Sequence, residues 1–197
     1  MIDGEFWLQI EPYMREGEIG PTSNRVLVET LLKEVRWVIS GMIYGFDFVY
    51  RPSDNKRAVE EIFQAELKAE IPQGDPALRV RETRIEEDRV FLDIRYLLQG
   101  PQELMRRSWM SNTLPDCEGT GKGRYFTGPE EKITAYKEGM KIAIREYLRA
   151  RKYNKPKEIR GELLLYEIPR VIIKSGDYLA WVKIKLSIKE IKDYRVY

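Results

Sequence analysis

Two stretches of the chain carry the same order of local signals, and that order restricts the fold to long helices laid on antiparallel strands. Gly20-Pro21 opens a pattern that predicts a helix over residues 22–41, and Gly128-Pro129 opens another over 130–152, proline being pre-set for a first helical turn. The strand predicted after each helix carries an echo, Glu66-Leu67-Lys68-Ala69-Glu70-Ile71-Pro72 against Glu162-Leu163-Leu164-Leu165-Tyr166-Glu167-Ile168-Pro169. Each echo leads into a hairpin, residues 78–97 through Glu86-Glu87-Asp88 and residues 170–188 through Ser175-Gly176-Asp177. The fold expected is α+β, with two related units, each a long amphipathic helix packed on antiparallel strands (an internal repeat). Residues 1–98 form the first unit, 99–128 an irregular connection and 129–197 the second unit, the two packed through their helices or joined into one sheet. Such a repeat describes the core and carries no chemistry.

Periodicity supports these elements. Leu27, Leu31, Val35, Val38 and Met42 recur at intervals of three and four, with Leu32 and Ile39 widening the stripe, so the helix must bury that face against a sheet. Thr22 or Ser23 can cap its start, and Gly41 or Gly45 can stop it. In the second helix Ile133, Tyr136, Met140, Ala143, Ile144, Tyr147 and Leu148 make the stripe, while Lys137, Lys141, Arg145, Arg149 and Arg151 make the other side basic. Phe6, Leu8 and Ile10 alternate with polar residues, as in a half-buried strand at a sheet edge. Phe46, Phe48 and Tyr50 mark a further strand, and residues 55–63 a short helix. In the hairpins Val90, Leu92, Ile94 and Tyr96 alternate with Arg89, Asp93 and Arg95, and the run from Tyr178 to Ile188 alternates with Trp181, Lys183 and Lys185, with Lys189 just past its end. Sheets of this kind are wet on one face, and the polar faces are candidate interaction surfaces.

Composition excludes more chemistry than it suggests. The 197 residues include no histidine and one cysteine, Cys117. Ser-His-Asp and Cys-His catalysis, His- or Cys-based zinc sites, histidine-held haem, iron–sulfur clusters and an intrachain disulfide are all ruled out. Carboxylate, Lys, Tyr, Arg or Ser chemistry survives, as does a hard cation on oxygen ligands. Glu86-Glu87-Asp88 sits in a turn and Glu130-Glu131 in a helix first turn. Neither has the mixed environment that splits two pKa values for acid–base work. Cys117 lies between Asp116 and Glu118, neighbours that disfavour a reactive thiolate. The expectation is a protein without catalytic residues, cofactor or metal. Charge is nearly balanced, 34 Lys and Arg against 32 Asp and Glu for a net +2, so any polyanion site must be a local cluster.

The connection over 99–128 supplies one. Arg106, Arg107, Trp109, Lys122, Arg124 and Tyr125 combine cations for phosphate with rings for stacking, the mixture used by single-strand binders, and they form the candidate interaction surface. The alternative is that the rings pack the loop onto the sheet, which near-neutral total charge favours. Gly119-Thr120-Gly121-Lys122-Gly123 looks like a phosphate cradle but lacks the spacing of a P-loop and the strand-and-helix context of a dinucleotide fingerprint. A flexible tether is the preferred reading of those glycines. The basic run from Arg149 to Lys157 can meet phosphate or anionic lipid, or can simply answer the dipole at a helix C-terminus.

The run Leu31-Leu32-Lys33-Glu34-Val35-Arg36-Trp37-Val38-Ile39-Ser40-Gly41-Met42-Ile43-Tyr44, followed at once by a strand, resembles the N-terminal module of bacterial flagellar-assembly and envelope lipoproteins. In that module an Ala-rich helix ends near a glycine and feeds an antiparallel sheet. Here Leu and Val stand where alanines are usual, and no site residue carries over. The resemblance implies a non-catalytic role at the cell envelope. The leading expectation is a non-enzymatic interaction or assembly module with a protein partner or self-association, in the bacterial periplasm or envelope with any leader removed; the cytoplasm is the alternative. Polyanion or nucleic-acid binding through the 105–126 loop and the second helix is the first rival. A His-free ligand carrier or enzyme is the second. No apolar run has the roughly 20 residues a membrane span needs.

Overall fold

The computed structural model describes residues 1–10 and 24–194. A three-stranded antiparallel sheet has the order β1 (Ile2–Gln9), β5 (Arg89–Tyr96), β4 (Leu78–Glu86). A larger sheet has the order β3 (Ile62–Leu67), β2 (Phe46–Arg51), β7 (Glu158–Leu165), β9 (Asp177–Lys192), β6 (Asp116–Arg124), and β8 (Arg170–Lys174) pairs with the first part of β9. Helix α1 (Asn24–Ile43) lies between the sheets, touching β1 and β5 on one side and β7 and β3 on the other. A helix covered on two sides must be apolar on two sides. Leu31, Val35, Val38, Ile39 and Ile43 are all fully buried, each worth about 1.5–3 kcal/mol relative to exposure. The helix runs through Gly41, where a Cβ would meet the Phe46 ring, and Gly45 at φ +76° turns the chain into β2. The expected caps Thr22 and Ser23 lie outside the described residues.

As expected, β1 is an edge strand with Phe6 and Leu8 buried, and both hairpins form. Ser175 and Gly176 both take positive φ, the two-residue turn whose twist suits a hairpin. The expected internal repeat is not reproduced in the topology. The β4–β5 hairpin belongs to the small sheet and β8–β9 to the large one. The two echoing strands instead flank a single strand, because Leu67 and Leu163 both pair with Phe46. Strands from both expected units and from the connection thus share one sheet. The short helix expected over 55–63 is a single 3-10 turn, Asn55–Arg57, and β3 begins at Ile62. Asp54 causes the early turn, accepting from the backbone N–H groups of Lys56 and Arg57.

Residues 99–128, expected to be irregular, are largely regular. Gly100-Pro101 opens helix α2 (Gly100–Trp109), and Gln102 Oε1 accepts from Gln99 N at 2.9 Å, one arm of a capping box. Gln102 Nε2 also reaches the hydroxyls of Tyr44 and Tyr96 at 2.8 and 3.0 Å, tying α2 to the end of α1 and to β5.

The glycine run is β6, paired residue for residue with β9. Its inward positions Gly119, Gly121 and Gly123 lie so close to α3 (Glu131–Arg149) that a Cβ on any of them would strike helix backbone at Glu131, Ala135, Gly139 or Ala143. Those helix positions are four apart, so one face of α3 lies directly on the strand. Glycine is here a requirement of close approach, and the tether reading is corrected on that ground.

A buried polar cluster joins α1, α3 and β1. Lys132 Nζ donates to the Trp7 carbonyl and lies 3.2 Å from Glu34 Oε2 and 4.3 Å from the Trp7 ring centre. The Tyr136 hydroxyl donates to Glu34 Oε1 at 2.5 Å. Burial pushes the Lys132 pKa down, with Glu34 opposing, and raises that of Tyr136. No buried polar side-chain atom among the described residues lacks a partner.

Gly121→Ala should destabilise by about 1–3 kcal/mol, the cost of overpacking, while Gly100→Ala, with nothing within 4 Å of its Cβ, stays within about 0.5 kcal/mol of the wild type. Urea unfolding of the two variants checks this. Glu34→Gln should cost about 3–5 kcal/mol by leaving Lys132 without its counter-charge. The pair Glu34→Leu with Lys132→Met should cost less than the two single changes added together, as a double-mutant cycle would show.

Candidate functional site

The six residues expected to form one surface divide into two groups. Arg106 sits on α2 and donates to the carbonyls of Met42 at 2.8 Å and Tyr166 at 3.2 Å, and burial pushes its guanidinium pKa down. It joins the end of α1 to the end of β7. Trp109 is buried and Arg107 exposed on the same helix. Lys122 and Arg124 project from the outer face of β6, the face away from α3. Tyr125 is half-buried, edge-on to Tyr178 at 5.3 Å and Phe126 at 5.1 Å. Tyr166 is bonded to Lys183, which pairs with Glu118, so Arg106 stands near the Glu118 end of β6. Arg124 is six residues further on, roughly 20 Å at about 3.3 Å per residue.

What surrounds Lys122 and Arg124 comes from distant sequence. Strand pairing aligns three rows on the outer face: Arg170, Trp181 and Thr120; Ile172, Leu179 and Lys122; Lys174, Asp177 and Arg124. The inward alternates, Ala180 and Gly121, then Tyr178 and Gly123, are buried. Trp181 is 40% exposed and Ile172 38%, and the Arg170 guanidinium stands 6.0 Å from the Trp181 ring centre. The patch therefore has an apolar middle between two cationic strands, with four cations and one carboxylate, Asp177.

Elsewhere on the outer face the cations are matched. Lys183 pairs with Glu167 at 3.1 Å and Lys185 with Asp116 at 2.8 Å. Glu162 takes Lys68 and Lys189. Glu158 takes Arg51 at 2.6 Å, Arg160 at 2.8 Å and Lys192 at 3.2 Å, and these partners, Arg51 first, hold its carboxyl down to about 2. Among the described residues no carboxylate forms an ion pair with the side chain of Lys122, Arg124, Arg170 or Lys174, although Glu131 Oε2 accepts from the backbone N–H of Arg124 at 3.0 Å. On the basic side of α3, Lys141 pairs with Glu61 and Glu138 and Lys152 with Asp193, while Arg145 and Arg149 share Glu146.

Cys117 is buried and its thiol is pushed up to about 11, chiefly by burial, with Asp116 adding to the shift. The direction is the one expected from its acidic neighbours, but the main cause is different. Among the described residues no three His, Cys, Asp or Glu side chains gather as a metal site, and no helix is long and apolar enough to cross a membrane. Arg170 and Lys174 were missed as candidates because β8 lies some fifty residues beyond Lys122. Their signal was the alternation of β8 and β9 with Trp181 on the wet side.

A protein-family model matches residues 1–194, and the chain belongs to that family. A relative from Treponema pallidum (strain Nichols), named only as an uncharacterized protein, is 27% identical over 192 residues, covering 97% of this chain and 81% of the relative. No solved structure matches the chain.

The Glu158 cluster carries a pH prediction. A carboxyl depressed in the folded state stabilises fully above its ordinary value of 4.5, and that contribution is lost as pH falls toward about 2. Glu158→Gln should be less stable than the wild type at about pH 5 and converge with it near about pH 2. Urea unfolding across that window checks it, and parallel curves would contradict the assignment.

Proposed function

We propose that the protein is a non-enzymatic binding module for single-stranded nucleic acid, held on the outer face of the large sheet between β8 and β6. The observation that carries this reading is the local imbalance of charge around an exposed tryptophan. Arg170, Lys174, Lys122 and Arg124 surround Trp181, Leu179 and Ile172 with one carboxylate on the same patch, while cations elsewhere on that face are paired. Cations on the two flanking strands suit phosphates, and a ring on the middle strand suits stacking of an unpaired base. With a total charge of only +2, attraction to a polyanion must come from a local cluster, and this patch supplies one.

A protein-assembly role, and the envelope location implied by the flagellar-lipoprotein resemblance, rest on the pattern of residues 31–44 and stand second. The open edge at β4 offers them little support. It carries Arg79, Arg81, Glu82, Arg84 and Glu86 and an irregular register between Val80 and Glu82, features that oppose edge-to-edge pairing.

Fluorescence anisotropy with a labelled single-stranded oligonucleotide tests the reading. Log affinity should fall linearly with log salt, with a slope of roughly −3 for four phosphates engaged on a single strand. Lys122→Gln should reduce that slope by about 0.7, and Trp181→Ala should cost about 1–3 kcal/mol without changing it. A flat salt response, or no binding at low salt, would remove the proposal.

A further inference from the structure

We infer that the cleft at the C-terminal end of α3 is a separate site for a small phosphorylated molecule that carries a planar ring. The cleft has a volume of about 420 Å³ and lies between the end of β2 and the last turn of α3 with the segment after it. That volume is within the about 300–1,000 Å³ typical of small-molecule sites. Its wall includes Tyr50, Leu148 and Pro156, all buried, so the inner surface is largely apolar.

The single carboxylate in the lining, Glu61, is already satisfied. It accepts from the Tyr50 hydroxyl at 2.8 Å and pairs with Lys141 at 3.1 Å. Burial works against its charge, but these partners outweigh it and hold the carboxyl below its ordinary range. Four cations also line the cleft. Lys155 is turned onto the Ser53 carbonyl at 2.9 Å and Lys152 onto Asp193 at 2.9 Å. Arg145 and Arg149 share one carboxylate, Glu146, at 3.5 and 3.8 Å. Two guanidiniums on one carboxylate leave a positive excess, and guanidinium donors suit a phosphate.

Tyr153 lines the same cleft and is fully exposed, available to cover a ring whose anionic group sits on the arginines. The helix dipole explains why cations gather at this end. It does not explain an apolar cleft beneath them. This inference is independent of the sheet-face reading, because α3 crosses β6 with its N-terminus beside Gly123 and its middle beside Gly119, so its C-terminal end lies away from Arg124.

The test is an NMR titration of the intact protein with adenosine monophosphate, adenosine and inorganic phosphate. Adenosine monophosphate should shift amides of residues 50–53 and 145–155 saturably, and each half-molecule alone should bind at least about tenfold more weakly. Arg145→Gln should weaken the nucleotide about tenfold. Tyr153→Ala, a change at a fully exposed side chain, should weaken it while leaving inorganic phosphate unchanged. Lys122→Gln should leave all three unaffected, so failure of the sheet-face reading would be recognised separately. No shift in the cleft at about 10 mM nucleotide, equal binding of inorganic phosphate, or undiminished binding to Arg145→Gln would each overturn the inference.

Discussion

The contact between β6 and α3, made almost without side chains, sets the position of most other elements. Gly119, Gly121 and Gly123 bring the strand against the helix backbone at Ala135, Gly139 and Ala143. A strand of alternating glycines is intrinsically weak, and it is held by full pairing with β9 on one side and by the helix above. β9 is 16 residues long and also carries β8 and β7. Fixing β6 on α3 therefore orients the long strand from which both the core and the outer face are built.

The second fixed point is polar. Glu34, Lys132 and Tyr136 join the two long helices, and Trp7 brings the small sheet into the same cluster through its carbonyl and ring. A buried ion pair of this kind adds little net stability over apolar packing, but it is costly to break on one side. Its contribution here is to specify how α1, α3 and β1 meet. The nearby stack of Trp37 on Tyr136, with centroids 6.0 Å apart, supplies the dispersion part of the same junction.

Much of the fold was legible from local pattern. Period 3.6 marked α1 and α3, and period two marked both hairpins, because each element buries one face. Sheet membership was not legible, since Leu67 and Leu163 become neighbours only through their common partner Phe46. The glycines of β6 read as a tether because strand propensity is carried by side chains, and their role is to have none. Lys132 and Glu34 were overlooked although each sits on an apolar stripe, Lys132 four residues before Tyr136 and Glu34 three after Leu31. Gly100-Pro101 repeats the Gly128-Pro129 signal that precedes α3 and was the mark of α2. For the site, Lys122 and Arg124 were visible as a local basic pair, whereas Arg170 and Lys174 joined them only through strand pairing. Arg106 and Trp109 carry the right chemistry but are occupied in holding α2.

The exposed Trp181 ring between the two cationic strands is proposed as a stacking platform. Ultraviolet cross-linking of a bromouridine-bearing single strand, mapped by mass spectrometry, addresses it directly. Trp181 is the tryptophan most open to solvent, Trp7 and Trp37 being half-covered and Trp109 buried. A stacking platform there puts the cross-link on Trp181 within the β8–β9 segment. A cross-link confined to the C-terminal turn of α3, or a spread over unrelated surface residues, would contradict it.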